Sequence, residues 1–144
     1  MNVATILKAK GRAVTTARPD ATLLDVCTKL ASKKIGAIVI VGDKGRVAGI
    51  ISERDVIRVI AERGAGALAL PVAEAMTRTV VACPENTTLD ELMGMMTQGR
   101  FRHLPVLDED EALVGIISIG DVVKHRVAEV EHEAIAMRDY IAHH

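Results

Sequence analysis

The chain has 144 residues, with 18 basic and 19 acidic side chains and a net charge of −1. That length fits one compact domain or two small ones, and the balanced charge argues against a nucleic-acid partner held by bulk positive charge. One Phe (Phe101), one Tyr (Tyr140) and no Trp exclude a surface that stacks bases on rings, so a bound flat heterocycle would need aliphatic walls and backbone.

Residues 3–7 read as a short helical lead-in. Residues 13–17 form a β-type run before Pro19. A helix opens at Thr22-Leu23, with Asp20 as candidate N-cap, and should end near Gly36. The continuous apolar run 37–41 reads as a buried strand, and Gly42-Asp43-Lys44-Gly45 as a turn. Residues 46–52 return as a strand, and a second helix begins near Asp55. Residues 61–70 contain Gly64 and Gly66, stop at Pro71, and read as a helix end followed by a linker. Residues 72–76 are a second helical lead-in. The pattern then repeats: a β-type run at 79–83, a helix from Thr88 capped by Asn86 or Thr87 and ending near Gly99, a strand at 104–107, a turn at 108–111, a strand at 112–118 and a helix from about Asp121. In that last helix Val123, Val127, Val130, Ala134, Met137 and Ile141 follow spacings of 4, 3, 4, 3 and 4. Such a seam either packs on its own domain or pairs with a second helix.

The repetition is literal. Gly49-Ile50-Ile51-Ser52-Glu53-Arg54-Asp55-Val56 returns 66 residues later as Gly115-Ile116-Ile117-Ser118-Ile119-Gly120-Asp121-Val122. The same offset carries Thr22-Leu23 onto Thr88-Leu89, Lys34-Ile35 onto Arg100-Phe101, and 38–41 onto 104–107. A one-residue indel brings Pro19-Asp20 to Pro84-Glu85-Asn86. The unit is β-α-β-β-α, used twice.

Two such copies, each with Gly-hydrophobic-hydrophobic-Ser-x-x-Asp, resemble a tandem pair of CBS (cystathionine-β-synthase) domains, a stand-alone Bateman module. The resemblance spans 3–126. It is most specific where Arg102-His103-Leu104-Pro105-Val106 precedes the second motif. It implies an α/β fold of the α+β type: a CBS-domain pair related by pseudo-twofold symmetry, with two clefts between the copies and a C-terminal helix added. The expected boundaries are 1–64 for the first domain with its lead-in, 65–71 for the linker, 72–127 for the second domain and 128–144 for the terminal helix. The resemblance also implies a regulatory module, not an enzyme, that binds an adenosine ligand: AMP, ADP, ATP, S-adenosylmethionine or NAD(H).

The motif residues have chemistry suited to such ligands. Asp55 and Asp121 offer two acceptor oxygens each, matched to the two donors of a ribose diol; the alternative role is an N-cap. Ser52 and Ser118 can donate to ribose or phosphate, or simply stabilise a turn. Arg54, Lys34, Arg100 and Arg102 supply phosphate donors or a solvated surface. Arg54 faces Gly120 in the alignment, which predicts unequal clefts. His103 aligns with Ala37 and belongs to the second copy alone. It could donate to phosphate or be satisfied within the fold. Thr16, Ala17, Ala82 and Cys83 could offer backbone to the adenine edge. Val14, Val80, Ile50, Ile116 and Ile119 could wall it.

Other signals are weaker. There is no Walker loop, G-x-G-x-x-G or G-x-S-x-G. His125, Glu129 and His132 share a helical face but read as solvated, not metal-ligating. Cys27 and Cys83 read as free thiols in a reducing cytoplasm, with no signal peptide or apolar span. The expected assembly is a homodimer, with a tetramer as the larger alternative, acting on an unidentified partner protein. The terminal His143-His144 pair is given no role.

Overall fold

The computed structural model describes residues 1–143. His144, the final residue of the expected terminal helix, lies outside them. Helix α1 (Val3–Lys10) leads. The first copy follows as β1 (Thr16–Ala17), α2 (Leu23–Lys33), β2 (Ala37–Val41), β3 (Val47–Ser52) and α3 (Glu53–Arg63). The second is α4 (Leu89–Gly99), β4 (His103–Leu107), β5 (Leu113–Ser118) and α5 (Ile119–His143).

Each copy builds a small sheet on an antiparallel hairpin. Ala37 pairs with Ser52 in β2–β3, and His103 with Ser118 in β4–β5. Both hairpins shift register at the same place, between Ile40 and Val41 and between Val106 and Leu107. The duplicated sequence therefore repeats its irregularities as well as its strands. Both hairpin turns also need left-handed backbone, at Lys44 (φ 62°) and Glu111 (φ 63°).

The first strands are shorter than the sequence suggests. Residues 13–17 contribute only Thr16–Ala17, parallel to β2. Residues 79–83 contribute a single parallel bridge, Cys83 to Val106. Helix starts also differ from expectation. Thr22 and Thr88 are the N-caps, not Asp20, Asn86 or Thr87: their hydroxyl oxygens accept from the backbone N–H of Asp25 and Glu91, each at 3.1 Å. The helix ends are left-handed at Lys34 (φ 54°) and Arg100 (φ 55°), before Gly36 and after Gly99.

Packing regroups the chain. Leu23, Val26, Ile38, Ile40 and Ile51 form one core, and it takes in Val72, Ala75 and Met76 from the second lead-in. Leu89, Leu92, Leu104, Val106 and Ile117 form the other, completed by Val3, Ile6 and Leu7 of α1. Backbone bonds tie the same exchange. Val3 N–H donates to Thr87 O at 2.9 Å, and Val72 N–H donates to Ala21 O at 2.7 Å. The grouping by chain continuity, with 1–64 as one unit, thus differs from the grouping by packing.

Residues 61–70 are more ordered than a plain linker: α3 ends at Gly64 (φ 79°), and a 3-10 turn at Ala65–Ala69 buries Ala67. No described helix is long and apolar enough to cross a membrane.

Candidate functional site

Four helices start alike. A Ser or Thr side chain caps the helix, and an acidic residue sits three positions on: Thr22–Asp25, Ser52–Asp55, Thr88–Glu91 and Ser118–Asp121. This is the spacing of a capping box, and the reciprocal bonds of a full box are made at Ser52–Asp55 and Ser118–Asp121. In the first motif Ser52 N–H and Oγ–H both donate to Asp55 Oδ2, at 2.9 and 3.1 Å. In the second, Ser118 N–H donates to Asp121 Oδ2 at 2.9 Å, and Asp121 N–H donates to Ser118 Oγ at 3.1 Å. The N-cap role weighed for Asp55 and Asp121 falls instead to Ser52 and Ser118, and the aspartates stand at the third helical position, bonded back to those serines. Location is what distinguishes them: the hairpins carry both motifs to the boundary between the copies.

At that boundary lies a cleft of ≈ 540 Å³, within the size range of small-molecule sites. The first copy contributes Ile50, Ser52, Glu53, Arg54, Asp55 and Arg58; the second adds Thr77, Thr79, Val81 and the run from Arg100 to His103, closing with Ser118, Ile119 and Gly120. Nine sequence candidates meet here: Ile50, Ser52, Arg54, Asp55, Arg100, Arg102, His103, Ser118 and Ile119. Thr79 and Val81, in a run that fails to form a strand, instead line the cleft, and Val80 between them does not. Four arginines bear on one space, so the cleft is suited to an anion.

Arg58 and Lys10 escaped the sequence reading. Arg58 Nη2 stands 3.1 Å from Asp55 Oδ1 and lines the cleft. The signal available was an Arg one turn beyond the motif aspartate. Lys10 Nζ stands 2.7 Å from Asp121 Oδ2 and donates to Ile116 O at 2.9 Å. Nothing local in the sequence marks that pair, because the two residues lie far apart in the chain.

The remaining candidates lie elsewhere. Asp121 and Ile116 are bound to Lys10, outside the lining of the open cleft. Lys34 is exposed at the end of α2. The Thr16 carbonyl accepts from Lys29 Nζ at 3.1 Å, and Ala17 is buried in the first core. Ala82 is half-buried. Cys83 gives its N–H to Pro105 O and its carbonyl to Leu107 N–H. Its backbone edge is thus consumed by the sheet and is not offered to a base.

Electrostatics follow from burial. Burial is the largest influence on Asp121 and would raise its pKa, but the Lys10 hydrogen bond and charge, with the Ser118 donors, outweigh it and hold the carboxyl below its ordinary value. Burial lowers the His103 pKa. Glu53 and Asp121 oppose this, and Lys10 and Arg102 add to it. His103 is thereby favoured as a neutral ring. Burial pushes the Cys83 thiol up to about 11, with a Thr87 hydrogen bond opposing, so it is a poor nucleophile at neutral pH. Among the described residues no three His, Cys, Asp or Glu side chains gather to hold a metal ion.

The fold and site together define a tandem pair of like β-α-β-β-α units with a cleft at their junction. A family model for the CBS domain matches residues 11–62 and 72–128. The chain belongs to the CBS-domain family, as a tandem pair. It is 32% identical over 148 residues to the mitochondrial CBS domain-containing protein CBSX3 of Arabidopsis thaliana, covering 96% of this chain and 71% of that protein. A crystal structure of a CBS-domain containing protein from Agrobacterium tumefaciens is similar at 48% identity and a TM-score of 0.84, covering 88% of this chain and 99% of that one. A CBS domain protein from Pyrobaculum aerophilum complexed with AMP shares the fold at 24% identity and a TM-score of 0.75, covering 84% of this chain and 89% of that one.

Proposed function

We propose that the protein is a regulatory module, not an enzyme, that takes an adenine nucleotide into the cleft between its two copies, with AMP as first choice. The observation that carries this reading is the convergence of Asp55 with Arg54, Arg58, Arg100 and Arg102 on one cleft. Asp55 Oδ2 is held by Ser52 at the start of α3, which leaves Oδ1, shared with the exposed Arg58, to accept from a ribose hydroxyl. The arginines offer planar forks to the phosphate. Ile50, Val81 and Ile119 supply aliphatic walls for the base, as a chain so poor in aromatics requires. The AMP complex of the Pyrobaculum protein supports the ligand class. ADP, ATP and NAD(H) share the adenosine end and stand next.

The output is proposed to pass through shape or assembly. Val123, Val127, Val130, Met137 and Ile141 of α5 are all at least half exposed. A stripe at that spacing suits a second copy of the same helix. A homodimer is therefore the proposed assembly.

The test is mass spectrometry of small molecules released from the denatured protein, joined to a thermal-shift panel of AMP, ADP, ATP, NAD(H), S-adenosylmethionine and adenosine. The reading expects AMP to be released or to stabilise the fold, and adenosine to act more weakly for want of phosphate. A ligand at 100 times its Kd adds about 2.7 kcal/mol. No release and no shift across the panel would overturn it in favour of a structural dimerisation scaffold.

A further inference from the structure

We infer that Lys10 limits the chain to one nucleotide site by occupying the ribose-facing carboxylate of the second copy. The inference rests on the nucleotide reading above and adds the reason the two copies are not equivalent. Asp121 holds the motif position of Asp55 and makes the same reciprocal pair with its serine. Yet its Oδ2 already receives Lys10 Nζ at 2.7 Å as well as Ser118 N–H at 2.9 Å. Asp55 Oδ2 also holds two donors, but both come from Ser52 of its own motif; at Asp121 one of the two is a cation brought by another helix. The ammonium is held a second time by Ile116 O at 2.9 Å. It thus sits between the end of β5 and the motif carboxylate.

Asp55 has a different neighbour. Arg58 comes from the same helix and lines the open cleft, with its side chain 53% exposed. It can leave Asp55 for a phosphate without leaving the cleft. Lys10 is carried by α1, which is anchored by the fully buried Val3, Ile6 and Leu7.

The counterpart of Lys10 confirms that the block is specific to one copy. Leu7 packs against Gly115, where an added Cβ would lie 2.6 Å from Leu7 Cδ2; Met76 packs against Gly49, where it would lie 2.6 Å from Met76 Sδ. Leu7 and Met76 therefore hold matching places. Three residues beyond Leu7 stands Lys10, and three beyond Met76 stands Thr79, which lines the open cleft. A short hydroxyl side chain leaves one copy's site open, and a long cation fills the other.

The test is isothermal titration with AMP on the full chain and on Lys10→Met, Lys10→Thr and Lys10→Arg. Wild type and Lys10→Arg should bind one AMP per chain. Lys10→Met and Lys10→Thr should bind two, and adding Asp121→Ala to Lys10→Met should return it to one. Two methionine- and threonine-bearing variants guard against a single folding failure, which the melting curve of each would reveal. Two AMP bound by wild type would overturn the inference and leave the nucleotide reading standing. One AMP bound by wild type and by both variants would overturn it likewise. No AMP bound by any of these proteins would overturn the nucleotide reading, and the inference with it.

Discussion

The His103 ring lies over Gly36: a Cβ built on that glycine would stand 3.2 Å from both Cε1 and Nε2. The two residues lead into β4 and β2, so this contact joins the copies where their central strands begin. Burial lowers the His103 pKa from its ordinary 6.5. The folded state therefore binds fewer protons here than the unfolded state just below that value. The stabilisation is complete above the unfolded pKa and is lost as pH falls from 6.5 toward the lower folded value. Urea denaturation between about pH 7.5 and 5.5 should show falling stability in wild type. His103→Gln should flatten that slope. An unchanged slope would show that His103 does not link the fold to pH.

Ser52 caps α3 and lines the cleft, whereas Thr22 caps α2 in the first copy and does not line it. Replacing either cap by Ala should cost about 1 kcal/mol. Only Ser52→Ala should also weaken AMP binding, because it releases the Asp55 carboxylate from its fixed orientation. Denaturation and titration of both variants separate the two effects. Equal AMP affinity in Ser52→Ala and Thr22→Ala would reduce Ser52 to a cap alone.

Leu7 fills the space that a side chain at position 115 would need. Leu7→Ala should cost about 2–5 kcal/mol through the cavity left in the second core. Gly115→Ala should cost about 1–3 kcal/mol by overpacking. The double variant should be more stable than the sum of the two losses implies, since each change relieves the other. Strict additivity in the double-mutant cycle would mean that the two residues do not share that space.

The α5 seam makes the proposed assembly testable without disturbing either core. Val130 is 52% exposed and Met137 60% exposed. Val130→Glu with Met137→Glu should convert the dimer to monomer in sedimentation velocity. The melting transition of the monomer should remain cooperative. A wild-type chain that sediments as a monomer would end the homodimer proposal.

The repeat and its register were legible because a literal eight-residue motif recurs, and matching sequence folds into matching hairpins, bulge included. The site was legible as far as the motif reaches: Ser52, Asp55, Ser118 and the arginines before β4 all come to the cleft. Two things were hidden. Thr22 and Thr88 cap their helices although Asp and Asn stand nearby, because the three-residue spacing to Asp25 and Glu91 sets which side chain can reach. Asp121 looked equivalent to Asp55, because the cation that distinguishes them comes from α1, at the opposite end of the chain. Local pattern conveys caps and strands; it does not convey which distant residue arrives at a carboxylate.

The exchanged lead-ins bear on how the chain is made. Translation delivers α1 well before Leu104, Val106 and Ile117, against which its buried face packs. The first copy likewise lacks Val72, Ala75 and Met76 until the second has begun. Pairing across such separations slows folding, and an unfinished chain exposes apolar surface while it waits. A nascent polypeptide released at residue 64 would hold one core without its closing turn and one helix without its core, so neither copy is expected to mature before both have been made.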